Sequence, residues 1–107
     1  MKSKFLAAVL MISVTGVGSA GGITTAMPVT MFHYFKGHTG LLIKQPSIIN
    51  PDTCPRNDFY ILPMDHRNYN EMAAMIMVSH MKGQPLSFGV EGCTEGFPTI
   101  AHLYSSK

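Results

Sequence analysis

Five histidines are the side chains of this sequence best suited to bind a metal or to move a proton near neutral pH: His33, His38, His66, His80 and His102. A helical metal site needs two ligands four residues apart, as in H-E-x-x-H, and no pair of these histidines has that spacing. His80 falls on the core-facing side of a predicted helix, where we expect a hydrogen-bonded packing residue. We therefore predict no metal site and no cofactor.

The sequence also lacks the usual signatures of nucleophilic or acid–base catalysis. A hydrolase nucleophile of the G-x-S-x-G type is missing, and adjacency in sequence does not bring the side chains of Asp65 and His66 together. Six acidic residues are present, and none stands in a context that marks a catalytic carboxylate pair. We predict that the protein is not an enzyme, and a small hydrolase is the third of three alternatives.

The aromatic residues are more informative, because they alternate with polar ones along predicted strands. Such a pattern can form a shallow site for sugars or peptides. The alternative is that most of these rings fill the core of a domain that has no tryptophan. The aromatic set is Phe32, Tyr34, Phe35, Phe59, Tyr60, Phe97 and Tyr104, and the polar set is His33, Asp58, His102 and Ser105.

Residues 1–20 have the three parts of a secretory signal peptide. Lys2 and Lys4 form a positive start, an apolar run follows, and Gly18-Ser19-Ala20 offers the small side chains that signal peptidase requires. We expect cleavage after Ala20, or alternatively after Ala26, and a secreted or periplasmic protein. The apolar run is shorter than the roughly 20 residues of a membrane-spanning helix.

The part that follows this segment is a small, electrically neutral domain. Only 13% of the 107 residues are charged, and positions 21–107 hold six basic and six acidic side chains. Nucleic-acid-binding domains carry a basic face, so the composition excludes nucleic acid as a partner. We predict a flexible leader over residues 21–28 and a single small domain over 29–107, without a membrane span.

The two cysteines of the chain, Cys54 and Cys93, are predicted to form a disulfide. In an oxidising compartment an even pair in a small domain is most simply bridged. The bridge closes a loop of about 40 residues, for which the chain-entropy estimate is about 4 kcal/mol. A zinc site is a weaker explanation for the two cysteines than a disulfide, because the C-x-x-C spacing of such sites is missing.

The predicted elements follow the order β-β-β-α-β-β. Five short strands with one helix between the third and the fourth is the element order of an OB-like barrel. A small open α+β sheet packed on the helix is the alternative, and either fold is mostly β. Branched, aromatic and alternating residues place the strands at 29–35, 41–44, 58–62, 85–90 and 98–104.

The helix is predicted over 69–82, where neither proline nor glycine occurs. Asn68 and Glu71 resemble a capping box, and Gly83 suits the position after the last helical residue. The face of Tyr69, Met72, Ala73 and Ile76 is expected to pack on the sheet.

The opposite side of this helix is also apolar, which is unusual for a surface helix. We predict that Met75, Val78 and Met81 meet a neighbouring subunit, because methionines adapt well to irregular contacts. The alternative is a monomer in which residues 21–35 fold over the same face.

The layout resembles a known family of small secreted proteins. Cys54 precedes the strand Phe59-Tyr60-Ile61-Leu62, and the helix carries Met72-Ala73-Ala74-Met75. Lys82-Gly83-Gln84-Pro85 leads into an alternating strand, and Cys93 precedes the last one. These features resemble the OB-like proteins related to the binding (B) subunit of subtilase-cytotoxin-type AB5 toxins.

The resemblance covers roughly residues 29–105 and implies an OB-like fold and a binding role. The B subunits of that family form pentameric rings and bind sialylated glycans, but no segment here matches their glycan-contacting residues. We therefore expect an exported, non-enzymatic binding module that recognises a glycan or a protein surface, with homo-oligomers and a toxin-like assembly as candidates. The alternative is a periplasmic structural or inhibitor-like protein that binds one protein partner.

Overall fold

The computed structural model describes residues 21–106, which fold into a mostly β, α+β domain with one helix. The number of strands is six, so the predicted count of five is wrong. The elements are β1 (Gly22–Ile23), β2 (Met31–Tyr34), β3 (Gly40–Lys44), β4 (Tyr60–Pro63), α1 (Tyr69–Lys82), β5 (Ser87–Thr94) and β6 (Phe97–Tyr104).

The six strands form one mixed sheet in the order β1-β5-β6-β4-β3-β2. Neighbouring strands are antiparallel except β4 and β6, which run parallel and pair at Ile61 and Thr99. Parallel neighbours need a crossover connection, and α1 lies within the one that joins these two strands.

The predicted flexible leader is instead part of the sheet. Gly22 and Ile23 pair with β5, and Thr24 donates its N–H to the Phe88 carbonyl over 3.0 Å. Met27 and Leu86 then exchange backbone hydrogen bonds of 3.1 and 2.9 Å. This stretch is ordered because its backbone forms hydrogen bonds with N–H and carbonyl groups of Leu86 and β5 that would otherwise lack partners.

The same stretch of chain also reaches the other edge of the sheet. Proline has no N–H, so Pro28 interrupts the pairing, and Thr30 then donates to the Lys44 carbonyl of β3 over 2.9 Å. The buried Gln45 side chain donates to the carbonyls of Met27 and Leu86, both over 2.9 Å. The sheet therefore curls until both edges meet along residues 22–34.

The strands bury residues on both faces of the sheet. Leu41 and Ile43 of β3 point towards the helix, and Leu42 between them points to the opposite face. The helix-side core is the larger and includes Tyr60, Leu62, Met72, Ala73, Ile76, Leu86, Phe88 and Ile100, whereas the opposite face buries Leu42, Ile61 and Phe97.

The helix runs over the predicted residues, but it does not begin with a capping box. The Asn68 side chain makes no capping hydrogen bond, and its backbone (φ −109°, ψ 28°) is outside the extended conformation typical of a cap. The Asn68 N–H is instead bound by Nδ1 of His66 at 3.0 Å. At the other end Gly83 adopts the predicted left-handed conformation, with φ 76°.

The disulfide prediction is confirmed. Cys54 and Cys93 are bonded, with 5.7 Å between their Cα atoms, and the bridge ties the long β3–β4 loop to the end of β5. The Asn50 side chain holds the loop by accepting the Cys54 N–H at 2.8 Å and donating to its carbonyl at 3.0 Å.

Two of the predictions concern the chain's relation to membranes and export. No helix within residues 21–106 is both long enough and apolar enough to cross a membrane. The predicted signal peptide, residues 1–20, lies outside the described residues.

Candidate functional site

Three connections converge at one end of the sheet and enclose what we call the loop-end site. They are the β2–β3 loop (residues 35–39), the β5–β6 turn (residues 95–96) and the start of the turn that follows β4 (residues 64–65). Two adjoining hollows of about 280 and 550 Å³ lie between them, and His38 and Met64 border both. The other lining residues are Tyr34, Phe35, Lys36, Thr39, Gly40, Pro63, Asp65, Tyr69 and Thr94.

Glu95 joins two of these connections. Its carboxylate accepts the Thr39 N–H at 3.1 Å and the Thr39 hydroxyl at 2.6 Å, and it lies 2.8 Å from Nδ1 of His38. Glu95 reaches them from a tight hairpin turn in which both central residues, Glu95 and Gly96, have positive φ angles of 53° and 89°. A glutamate rarely adopts such a φ, and conformations of this kind are concentrated at functional sites.

The hydrogen bonds of Glu95 also set its charge. The Thr39 hydroxyl, and secondarily His38, hold the pKa of the Glu95 carboxyl below its usual value. The carboxylate therefore stays ionised at neutral pH and keeps the β2–β3 loop in one position.

The loop-end site presents three large apolar side chains to solvent. Tyr34 is 59% exposed, Phe35 46% and Met64 61%. Large exposed apolar groups that cluster in a hollow, rather than standing singly, mark surfaces that bind something. The Tyr34 hydroxyl adds a polar group at the edge of this surface.

Aromatic packing beneath the site supports the loop. The His38 ring lies 5.3 Å from that of the buried Phe97, and the Arg56 guanidinium lies 4.4 Å from the same Phe97 ring. His33 packs between Phe35 at 4.9 Å and Phe59 at 5.4 Å, with its Nδ1 buried and unbonded among the described residues. His33 is thus a packing residue beneath the site.

The structure separates the residues that the sequence groups as one aromatic site. Tyr34 and Phe35 lie in the loop-end site, whereas Tyr60 is fully buried and accepts the Ile49 N–H at 2.8 Å. Burial raises the pKa of the Tyr60 hydroxyl. Phe32 packs against the helix-side core, and Phe59 and Phe97 lie on the opposite face.

The remaining members of that predicted set lie elsewhere. Asp58 forms an ion pair of 2.8 Å with Arg56, whose hydrogen bond lowers the pKa of the Asp58 carboxyl. His102 and Tyr104 stand on the exposed part of β6, and Ser105 follows them. The predicted core-facing position of His80 is wrong, because the residue is exposed, although its Nδ1 lies 3.3 Å from the Val29 carbonyl as expected of a hydrogen-bonding residue.

Sequence reasoning missed Glu95, Thr39, Met64, Asp65 and Tyr69 as site residues. The signal for Glu95 was available, because Glu-Gly between two alternating strands is the place of a tight hairpin turn. Nothing local in the sequence brings residue 95 next to residues 38 and 39, since that proximity arises from the order of the strands.

The predicted interface residues do not share one environment. Met81 is 78% exposed and Val78 41%, whereas Met75 is half-buried and packs against the helix-side core. Residues 29–32 pass over a neighbouring side of the helix, where the Val29 N–H donates to the Ser79 hydroxyl over 2.9 Å. They leave Val78 and Met81 uncovered, so contact with a second subunit stays a prediction.

Within residues 21–106, no three histidine, cysteine, aspartate or glutamate side chains are grouped so that they could hold a metal ion. Comparison with known proteins finds no matching family model, no matching curated protein and no matching solved structure.

Proposed function

We propose that the protein is an exported, non-enzymatic binding module and that the loop-end site holds a glycan. The observation that carries this proposal is the pair of exposed rings, Tyr34 and Phe35, beside a loop fixed by Glu95. Aromatic faces pack against the C–H faces of sugar rings, and a preorganised site loses little conformational entropy when it binds.

Polar groups around the two rings suit the hydroxyls of a sugar. Nδ1 of His38 is engaged by Glu95, which leaves Nε2 for a ligand. Asp65 lines one of the two hollows and Lys36 lines the other, and His38 borders both. A carboxylate accepts hydroxyl hydrogens and an ammonium donates, so the site offers both kinds of hydrogen bond.

The strand order supports an OB-like barrel as the finer description of the fold. Counting residues 22–34 as one long first strand gives five strands, with α1 between the third and the fourth. OB-folds bind oligosaccharides through one face of the sheet and the loops between strands 1 and 2 and between strands 4 and 5. The β2–β3 loop and the Glu95–Gly96 turn are the connections at those two places.

Export and assembly complete the proposal. The disulfide between Cys54 and Cys93 fits an oxidising compartment, such as the periplasm or the cell exterior. A role like that of an AB5-type B subunit requires an oligomer, for which the uncovered Val78 and Met81 are the candidate contacts.

A glycan array probed with the mature protein, beginning at Gly21, tests the proposal. We expect selective binding that Phe35→Ala weakens at least about tenfold, because the truncation removes the stacking surface. Tyr104→Ala is the matched control, since it removes an aromatic ring of similar exposure from a different part of the surface. Failure to bind any glycan, or binding that Phe35→Ala leaves intact, would refute the proposal.

A further inference from the structure

A second groove, which shares no lining residue with the loop-end site, runs between the helix and the last strand. It has a volume of about 400 Å³ and is lined on one side by Glu71, Met72 and Met75 of α1. The other side is formed by four consecutive residues of β6, from Ala101 to Tyr104. Side chains of a strand alternate between its faces, so a groove that touches four in a row follows the backbone edge.

The backbone of Leu103 points into this groove. Its partner on β5 is Phe88, whose carbonyl accepts the Thr24 N–H and whose N–H donates to the Thr24 hydroxyl, both over 3.0 Å. Phe88 therefore directs its backbone groups towards Thr24 and away from β6. In an antiparallel pair of strands, the backbone groups of two opposed residues either bond to each other or both point away from the pair. The N–H and carbonyl of Leu103 therefore point away from β5.

No strand of the described chain covers that edge beyond residue 101. β4 pairs with β6 only at Ile61 and Thr99, and it ends at Pro63. The Ala101 carbonyl, the next group along the edge, is taken by Nε2 of His66 at 2.9 Å. His66 thereby closes one end of the groove, and the edge of His102–Tyr104 is open.

We propose that this groove binds an extended peptide, which adds a short strand to the edge of β6. The N–H and carbonyl of Leu103 supply main-chain hydrogen bonds, as in other cases of strand addition. Met72, Met75 and Leu103 form an apolar floor for one side chain of the peptide.

The charge of the groove defines the ligand further. Glu71 is the one carboxylate among the residues that line the described groove. Because side chains two apart in a strand share a face, the favoured peptide carries an apolar residue and, two positions away, lysine or arginine.

The groove does not fit a second copy of this chain. Every copy carries α1 beside the same edge, with Glu71, Met72 and Met75 facing β6 across the groove. The volume between helix and strand accommodates a few residues of extended chain, not the edge of a folded domain.

An array of acetylated hexapeptides tests this inference on the full mature protein. In each peptide, two varied positions alternate with threonine. We expect selection of an aliphatic residue and a basic residue at the two varied positions. The best hexapeptide should perturb the amide resonance of Leu103 and slow its hydrogen exchange. Two sets of alternate peptide nitrogens can be methylated, and only one set faces the edge of β6. Methylating that set should weaken binding at least about tenfold, and methylating the other set should weaken it little.

Variants separate the contributions of the groove. Glu71→Gln should lower the preference for the basic residue about threefold, whereas Met81→Gln, an equally conservative change outside the groove, should have no effect. Phe35→Ala should leave peptide binding intact, which distinguishes this groove from the loop-end site. The inference is wrong if no hexapeptide binds, if both methylated sets bind equally, or if Leu103 is protected only through self-association.

Discussion

The two faces of the sheet differ in what covers them. The helix-side face is sealed by α1, and its core side chains, such as Phe88 and Ile76, are fully buried. The opposite face has no helix in the described chain, and two charged side chains lie over its rings, with the Lys44 ammonium 4.9 Å from the Phe59 ring centroid and the Arg56 guanidinium 4.4 Å from that of Phe97. A sealed face contributes mainly to stability, whereas a ring beside the opposite face, such as that of Phe35, is partly in water and can contact a ligand.

Truncating one ring on each face is the most direct test of this difference. Phe88→Ala should lower the free energy of unfolding by about 3–5 kcal/mol, because it leaves a cavity in the sealed core. Phe35→Ala should cost less than about 1 kcal/mol, since the ring is already half in water. Urea denaturation measures both. Equal losses of stability would contradict the assignment of the two faces to different roles.

Removal of the disulfide, which fastens the β3–β4 loop to β5, should have the next largest effect. The Cys54→Ser/Cys93→Ser double variant should lose about 2–4 kcal/mol, because the segment that the bridge closes regains its freedom in the unfolded chain. Thermal unfolding with and without reductant measures the loss in the native protein. Reduction that leaves the melting temperature of the native protein unchanged would contradict this account.

A smaller effect is expected from pH. The pKa of Glu95 is lowered in the folded protein, so the carboxylate contributes stability that is present above its unfolded pKa. That contribution should disappear as the pH falls through the unfolded and then the folded pKa. Glu95→Gln should flatten this part of the profile of stability against pH. Glu71→Gln, the same chemical change on the helix surface, should preserve it.

The smallest effect on stability belongs to the outer side of the helix. Val78→Asp should change the free energy of unfolding by less than about 0.5 kcal/mol, because the side chain is already 41% exposed. If Val78 and Met81 contact a second subunit, sedimentation should detect a smaller, folded species for this variant. A wild-type protein that is monomeric at high concentration would remove the interface from consideration.

The sequence was sufficient for the elements that local patterning controls. The helix follows from the uninterrupted stretch 69–82, and its buried residues Met72, Ala73 and Ile76 lie on the predicted face. The disulfide follows from the number and the context of the cysteines. The helix is controlled by amphipathic periodicity and the disulfide by covalent chemistry, and both can be recognised from the sequence alone.

Elements that depend on distant partners were not predictable in this way. Residues 21–28 look flexible because two glycines begin the segment and a proline ends it, but they are ordered by bonds to β5 and to the Gln45 side chain. The link between Glu95 and Thr39 spans 56 residues of sequence and exists only after the sheet has closed. The open edge at Leu103 depends on where β4 ends, which no local motif marks.

The position of Gly21 gives the predicted maturation step a structural meaning. Its nitrogen lies 3.3 Å from both carboxylate oxygens of Asp52, and Oδ2 of this carboxylate also accepts the Gly92 N–H at 2.7 Å. Cleavage after Ala20 would turn that nitrogen into an ammonium group facing a carboxylate, so processing itself would strengthen the seam of the sheet. Cleavage after Ala26 would instead discard β1 and its bonds to β5. The position of cleavage would thus determine whether β1 is retained and stabilised or removed.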